Sequence, residues 1–233
     1  MSNELIILTG TAASIGFFHT LLGPDHYLPF IFMAKARKWS MFKTTWVTIA
    51  CGIGHVGSSI VLGSIGIIFG IAVGNLEIFE GVRGDIAAWA FVLFGLIYFI
   101  WGLRRAIINK PHKHRHIHKN GSIHVHEHTH INDHDHVHKT NITPWILFTI
   151  FVLGPCEPLI PFLMYPAVES STAGLVLISL VFGLVTIATM LGVVLLATYG
   201  FNFVRFGKLE RYSHALAGAI ILLSGIGILF LGL

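Results

Sequence analysis

The stretch 171–200 carries no Asp, Glu, Lys or Arg and exceeds the ~20 residues a helix needs to cross a bilayer's hydrocarbon core. In lipid every backbone N–H and C=O must be paired within the protein, so a run of this length reads as a transmembrane helix. Five more apolar stretches, 4–34, 41–73, 84–107, 143–167 and 211–233, read the same way. The chain is 54% hydrophobic and 11% charged, with a mean hydropathy of +0.76, a composition of the membrane class. The expected fold is all-α: a polytopic membrane protein with six transmembrane helices. Spans longer than needed leave room for tilt or for interruption at Gly and Pro. The N-terminus lacks a basic region ahead of its apolar run, so no cleavable signal peptide is expected.

Basic residues set the expected orientation. Loop 35–43, segment 104–139 and loop 201–211 hold fourteen of the fifteen Lys and Arg residues. The remaining one, Arg83, sits with Glu77, Glu80, Asp85 and Glu169 in the intervening loops. The positive-inside rule makes the basic side cytoplasmic. Six spans then put both termini outside, in the cell membrane. This bias explains the basic pI without nucleic acid.

Gly23-Pro24-Asp25-His26 in the first span recurs in the fourth as Gly154-Pro155-Cys156-Glu157. Asp25 thereby corresponds to Cys156, and His26 to Glu157. Three spans per half is an odd number, so the halves 1–107 and 143–233 are expected as inverted three-helix repeats, a recurrent plan for secondary transporters. The segment 108–142 joins them. Gly52, His55 and Ser58 can be laid over Gly183, Thr186 and Thr189.

An ionisable group at membrane depth costs about 2.5–3.5 kcal/mol on insertion scales, so His19, Asp25, His26 and His55 are candidate metal ligands. In an unbroken helix His19 and His26 would lie about 10.5 Å apart along the axis, too far to share an ion. Pro24 disrupts the turn before it and Gly23 tolerates the bend, so local unwinding can gather them. Cys156, Glu157, Ser58, Thr186 and Thr189 are further candidates for the transport path. Imidazole-rich sites suit Ni, Co, Zn and Cu, whereas Mg and Ca prefer oxygen.

Residues 112–138 contain eleven of the fifteen histidines: His112, His114, His116, His118, His124, His126, His128, His130, His134, His136 and His138. Alternating spacing puts them on one face where the chain is extended. The tract is expected to collect metal at the cytoplasmic side without fixed geometry.

The His19…Gly23-Pro24-Asp25-His26 signature, Gly54-His55 and Gly154-Pro155-Cys156-Glu157 together resemble the nickel/cobalt transporters, especially their urease-accessory, UreH-like branch. The resemblance implies that His19, Asp25, His26 and His55 bind a transported divalent ion, nickel or cobalt. The expected function is transport by alternating access, with no enzyme activity and no fixed cofactor. The ion, with zinc as a further candidate, is the substrate. Expected partners are the bilayer and the ion, with a cytoplasmic metallochaperone and further copies of the chain as candidates. A second expectation is a membrane thiol–disulfide carrier of the cytochrome-biogenesis type. That chemistry needs two approaching cysteines, and Cys51 and Cys156 are the two present. A third is a metal sensor acting through the His-rich tract.

Overall fold

The computed structural model describes residues 3–108, 112–117, 123–128, 142–156, 158–168, 172–203 and 207–231. Its membrane part is helical. Helix α1 (Asn3–Leu22) is followed by a 3-10 turn at Pro24–His26 and by α2 (Leu28–Ala36). Then come α3 (Met41–Phe69) and α4 (Val73–Ile108), and after the His-rich tract α5 (Thr143–Leu153), α6 (Leu159–Val168), α7 (Thr172–Phe203) and α8 (Ser213–Leu231). Among the described residues, five helices are long and apolar enough to cross a membrane: α1, α3, α4, α7 and α8. The chain is therefore a multi-pass helical membrane protein. The stretch expected as the fourth span is two short helices, α5 and α6, flanking the second Gly-Pro break, where the sequence repeats the motif of the first.

Local chemistry explains the boundaries. Ser40 caps α3 by accepting from the Lys43 backbone N–H at 3.2 Å, satisfying one of the amides a helix start leaves open. Gly70 ends α3 at φ +63°, the left-handed conformation in which glycine carries no Cβ penalty. Pro144 lies at the first helical turn of α5, where its missing N–H costs nothing. Helix α4 begins well before residue 84; its 36 residues extend about 54 Å at 1.5 Å per residue. Glu77, Glu80, Arg83 and Asp85, expected in a loop, are thus on a helix.

Helix α1 packs on α7, and α5 packs on α3. The most extensive pair is α4 with α8, joined through glycines whose backbones touch the partner's. A Cβ on Gly225 would stand 2.8 Å from the Ala88 carbonyl, and Gly95, Gly102 and Gly218 meet opposing backbone still more closely. Small residues at such crossings let backbones approach where lipid supplies no hydrophobic drive. Gly218→Ala is therefore expected to destabilise the chain by about 1–3 kcal/mol, the usual cost of overpacking, as read by thermal unfolding in detergent.

Two apolar clusters fill the interior. One gathers Phe30, Cys51, Phe91, Phe151, Met190 and Ile221; the other gathers Ala12, Val56, Cys156, Leu159, Leu163 and Phe182. Large apolar side chains such as Ile68, Leu184, Leu196 and Phe230 face outward, as expected of surfaces that meet lipid.

The membrane part is all-helical, as expected; within the His-rich tract, His112–Ile117 (β1) and Ile123–His128 (β2) pair as an antiparallel hairpin. Strict alternation is the strand period, and the backbone follows it there. His118, His130, His134, His136 and His138 lie outside the described residues, as does Glu157.

Candidate metal centre

The first break folds as its sequence requires. Helix α1 makes its last bond from the Gly23 N–H to the His19 carbonyl at 3.0 Å, and the His26 N–H then donates to the Gly23 carbonyl at 3.1 Å. This tight turn swings His26 back over the end of α1. The His19 and His26 ring centroids come to 4.8 Å, against the 10.5 Å or so of a straight helix. His55 arrives from α3, its ring 5.1 Å from that of His26. One ligand nitrogen from each of His19, His26 and His55 can be chosen so that all lie within 4.8 Å of one another.

The position of the cluster follows from the packing. Along α1–α2, Ala12 belongs to one apolar cluster and Phe30 to the other; along α3, Cys51 and Val56 do likewise; across the second break, so do Phe151 and Cys156. The three imidazoles sit at the junction of the two clusters. His26 and His55 are each 4% exposed. Nε2 of His19, Nε2 of His26 and both ring nitrogens of His55 are buried without a hydrogen-bond partner among the described residues. A buried unsatisfied polar group ordinarily costs about 1–3 kcal/mol. Several converging on one point, in a cavity of about 350 Å³, form a donor set in need of an acceptor.

Asp25 plays a part other than that of a direct member of this group. His26 Nδ1 lies 3.2 Å from the Gly23 carbonyl and 3.2 Å from Asp25 Oδ1. A carbonyl can only accept, so Nδ1 carries the proton and donates to both oxygens. That fixes the tautomer and leaves the Nε2 lone pair for an ion, the arrangement in which a carboxylate orients a metal-binding histidine. Gly23 is required by the same closeness: a Cβ there would stand 2.7 Å from His26 Nδ1 and 3.0 Å from Asp25 Oδ1. Its φ of −88° is open to any residue, so the constraint is steric. Gly23→Ala is expected to weaken metal binding by about 10–100-fold, the range for a disturbed ligand-orienting contact, checked by competition with a chromophoric chelator.

Sequence reasoning missed a second group of residues. Glu80 is fully buried and ion-paired with Arg83, one helical turn along α4. Arg83 Nη2 also donates to Ser58 Oγ at 2.7 Å and to the Val152 carbonyl at 2.9 Å, and approaches the Gly154 carbonyl at 3.4 Å. Glu80 Oε2 accepts from the Cys156 N–H at 3.2 Å. The pair thus satisfies both sides of the second break: guanidinium on the carbonyls that end α5, carboxylate on the amide ahead of α6. Ser58 in turn donates to the His55 carbonyl at 2.8 Å, so the network reaches the α3 turn that carries His55. The available signal was the i, i+3 spacing of opposite charges on one face. Asp85, exposed on α4, lines the same cavity as the histidines.

Of the other candidates, Thr186 is buried on α7, where its Oγ1 would lie 3.2 Å from a Cβ on Gly16; it packs against α1 and does not line the cavity. Thr189 is half-buried on α7 and also lies off the cavity lining. Cys51 and Cys156 fall in different apolar clusters.

The family model described as "Cytochrome C biogenesis protein transmembrane region" matches residues 27–231. Neither a curated protein nor a solved structure gives a match. The family match overturns the resemblance to nickel/cobalt transporters and favours the thiol–disulfide expectation over nickel or cobalt transport. The reason is physical: Gly-Pro at a broken membrane helix is what unwinding at depth demands, so a short motif built around it does not by itself mark one family.

Proposed function

The chain belongs to the cytochrome c biogenesis transmembrane-region family, and from the geometry of its first break we propose a carrier that binds a divalent transition-metal ion within the membrane. The single observation that carries this reading is the convergence of His19, His26 and His55, with ligand nitrogens within 4.8 Å of one another. Three imidazole nitrogens leave a fourth position open, as in metal sites that exchange a ligand. Such donors favour ions of the zinc and copper type over Mg or Ca.

In this reading α1–α2 and α5–α6 each cross as one broken span. Six crossings then form two inverted halves, and the exchange of packing between α1–α7 and α5–α3 supports that plan. The basic loops face the cytoplasm and the termini lie outside. The ion passes when the halves rearrange around the site. The halves are chemically unequal: the first offers imidazoles, while the second is closed by the Arg83 guanidinium.

The family match favours a second reading, a thiol–disulfide electron carrier, and Cys156 at a Pro-flanked break fits it. Its difficulty is the partner: the position matched to Cys156 is Asp25, and Cys51 lies in the other apolar cluster. One experiment separates the two. Zn²⁺ movement into proteoliposomes is measured for the wild type, for Cys51→Ser/Cys156→Ser and for His55→Ala. Metal carriage predicts normal movement in the cysteine double variant and none in His55→Ala. Disulfide exchange lost in the double variant, with no Zn²⁺ movement in any sample, would establish the electron carrier instead.

A further inference from the structure

The ends of three helices meet on the basic side of the chain. Arg37 stands just past α2, Arg105 in the last turn of α4 and His214 in the first turn of α8. Gly102 lets α4 and α8 come together there: a Cβ on it would stand 2.6 Å from the His214 carbonyl carbon. The Arg37 guanidinium carbon lies 5.3 Å from the Tyr98 ring centre and 5.7 Å from that of Trp101. The Arg105 guanidinium carbon lies 5.5 Å from the same Trp101 ring centre. Two cations thus share one indole, within the reach of cation–π attraction.

The polar groups gathered here have donors to spare and no acceptor left. Arg105 Nη1 lies 3.4 Å from His214 Nε2, and His214 Nδ1 lies 2.8 Å from the Tyr98 hydroxyl. A guanidinium can only donate, so Nε2 accepts and Nδ1 gives its proton to the Tyr98 oxygen. That leaves the Tyr98 hydroxyl proton to be taken up, and Arg37 Nε is buried without a hydrogen-bond partner among the described residues. The ion pairs among the described residues are His26–Asp25 and Arg83–Glu80, so neither Arg37 nor Arg105 has a carboxylate there.

We infer that this group holds the phosphate of an anionic phospholipid headgroup at the membrane surface. The planar fork of arginine matches phosphate oxygens, and a phosphate supplies both the negative charge and the acceptors that the group lacks. Position selects a lipid over a free ion. Trp101, Ile107 and Ile108 on the same end of α4 are exposed, an indole and apolar side chains where headgroups give way to acyl chains. Basic pockets between membrane helices on the cytoplasmic side suit anionic lipids in this way. None of these residues lines the cavity of the three imidazoles, so the site stands whether or not the first break carries metal.

The test is phosphatidylglycerol binding to the purified full chain in a neutral detergent, counted by native mass spectrometry. Arg105→Gln is expected to weaken binding roughly 10-fold or more, the worth of a hydrogen bond to a charged group. Arg105→Lys should restore part of the loss, because it returns the charge without the fork. Arg104→Gln removes the same charge one residue away, about 100° around α4, and is expected to keep wild-type affinity. Phosphatidylcholine, whose phosphate is balanced by its own cation, should bind more weakly than phosphatidylglycerol. Equal losses in Arg105→Gln and Arg104→Gln would show diffuse attraction and overturn the site. Equal binding of the two lipids would do the same, as would inorganic phosphate occupying the group with no lipid retained.

Discussion

His26→Ala is expected to weaken transition-metal binding at the membrane site by roughly 100-fold or more, about 2.8 kcal/mol at 1.4 kcal/mol per tenfold. His26 is the middle member of the group, with its ring 4.8 Å from that of His19 and 5.1 Å from that of His55. Its removal deletes one of three nitrogens and leaves only His19 and His55. It also strips Asp25 of the Nδ1–H it accepts. Asp25→Asn is expected to be milder, about 10–100-fold, because the amide still accepts from Nδ1 but lacks the charge that raises ligand basicity. Binding by the wild type should fall as the medium is acidified, since a protonated imidazole has no lone pair for the ion. Titration with a competing chelator at several pH values measures all three effects. Equal affinity in wild type and His26→Ala would remove the site.

Arg83→Ala is expected to destabilise the chain by about 3–5 kcal/mol, the range for stripping one partner from a buried ion pair. Glu80 would keep its charge inside the protein, and the Val152 and Gly154 carbonyls would lose their donor. Replacing both charges by leucine should recover part of the loss, because an apolar pair removes the stranded charge. Recovery would remain incomplete, since the Cys156 N–H also loses its Glu80 acceptor. The double-mutant cycle, followed by thermal unfolding in detergent, gives the coupling directly. Additive losses would mean that the pair does not act as a unit. A metal affinity unchanged in Arg83→Ala would show that the second break can loosen without disturbing His55.

Apolar runs announced a helical membrane protein because lipid leaves a spanning backbone few alternatives. The Gly23-Pro24 break was legible too, since proline and glycine act locally. The convergence of His55 on His19 and His26 was open only as chemistry: residue types suggested it, and helix packing supplied the distances. Glu80 and Arg83 were hidden because charges at the end of an apolar run look like loop, and only the earlier start of α4 turns them inward. The second break was legible from its repeated Gly-Pro motif, but not that its open backbone groups are handed to Glu80 and Arg83. Asp25 shows a finer limit. Spacing could bring it to the site, but only the Gly23 carbonyl on the same His26 nitrogen fixes which proton lies between them. The hairpin register was equally out of reach, because alternation defines faces and not partners.

The most direct measurement of the central claim is X-ray absorption spectroscopy of Zn²⁺ bound to the chain with residues 112–138 removed. That deletion takes away the histidines of the tract and leaves His19, His26 and His55 as the imidazole cluster. The account predicts a nitrogen/oxygen shell at about 2.0–2.1 Å with the outer scattering of imidazole rings, and no sulfur at about 2.3 Å. A sulfur shell, or a chain that retains no zinc, would contradict it.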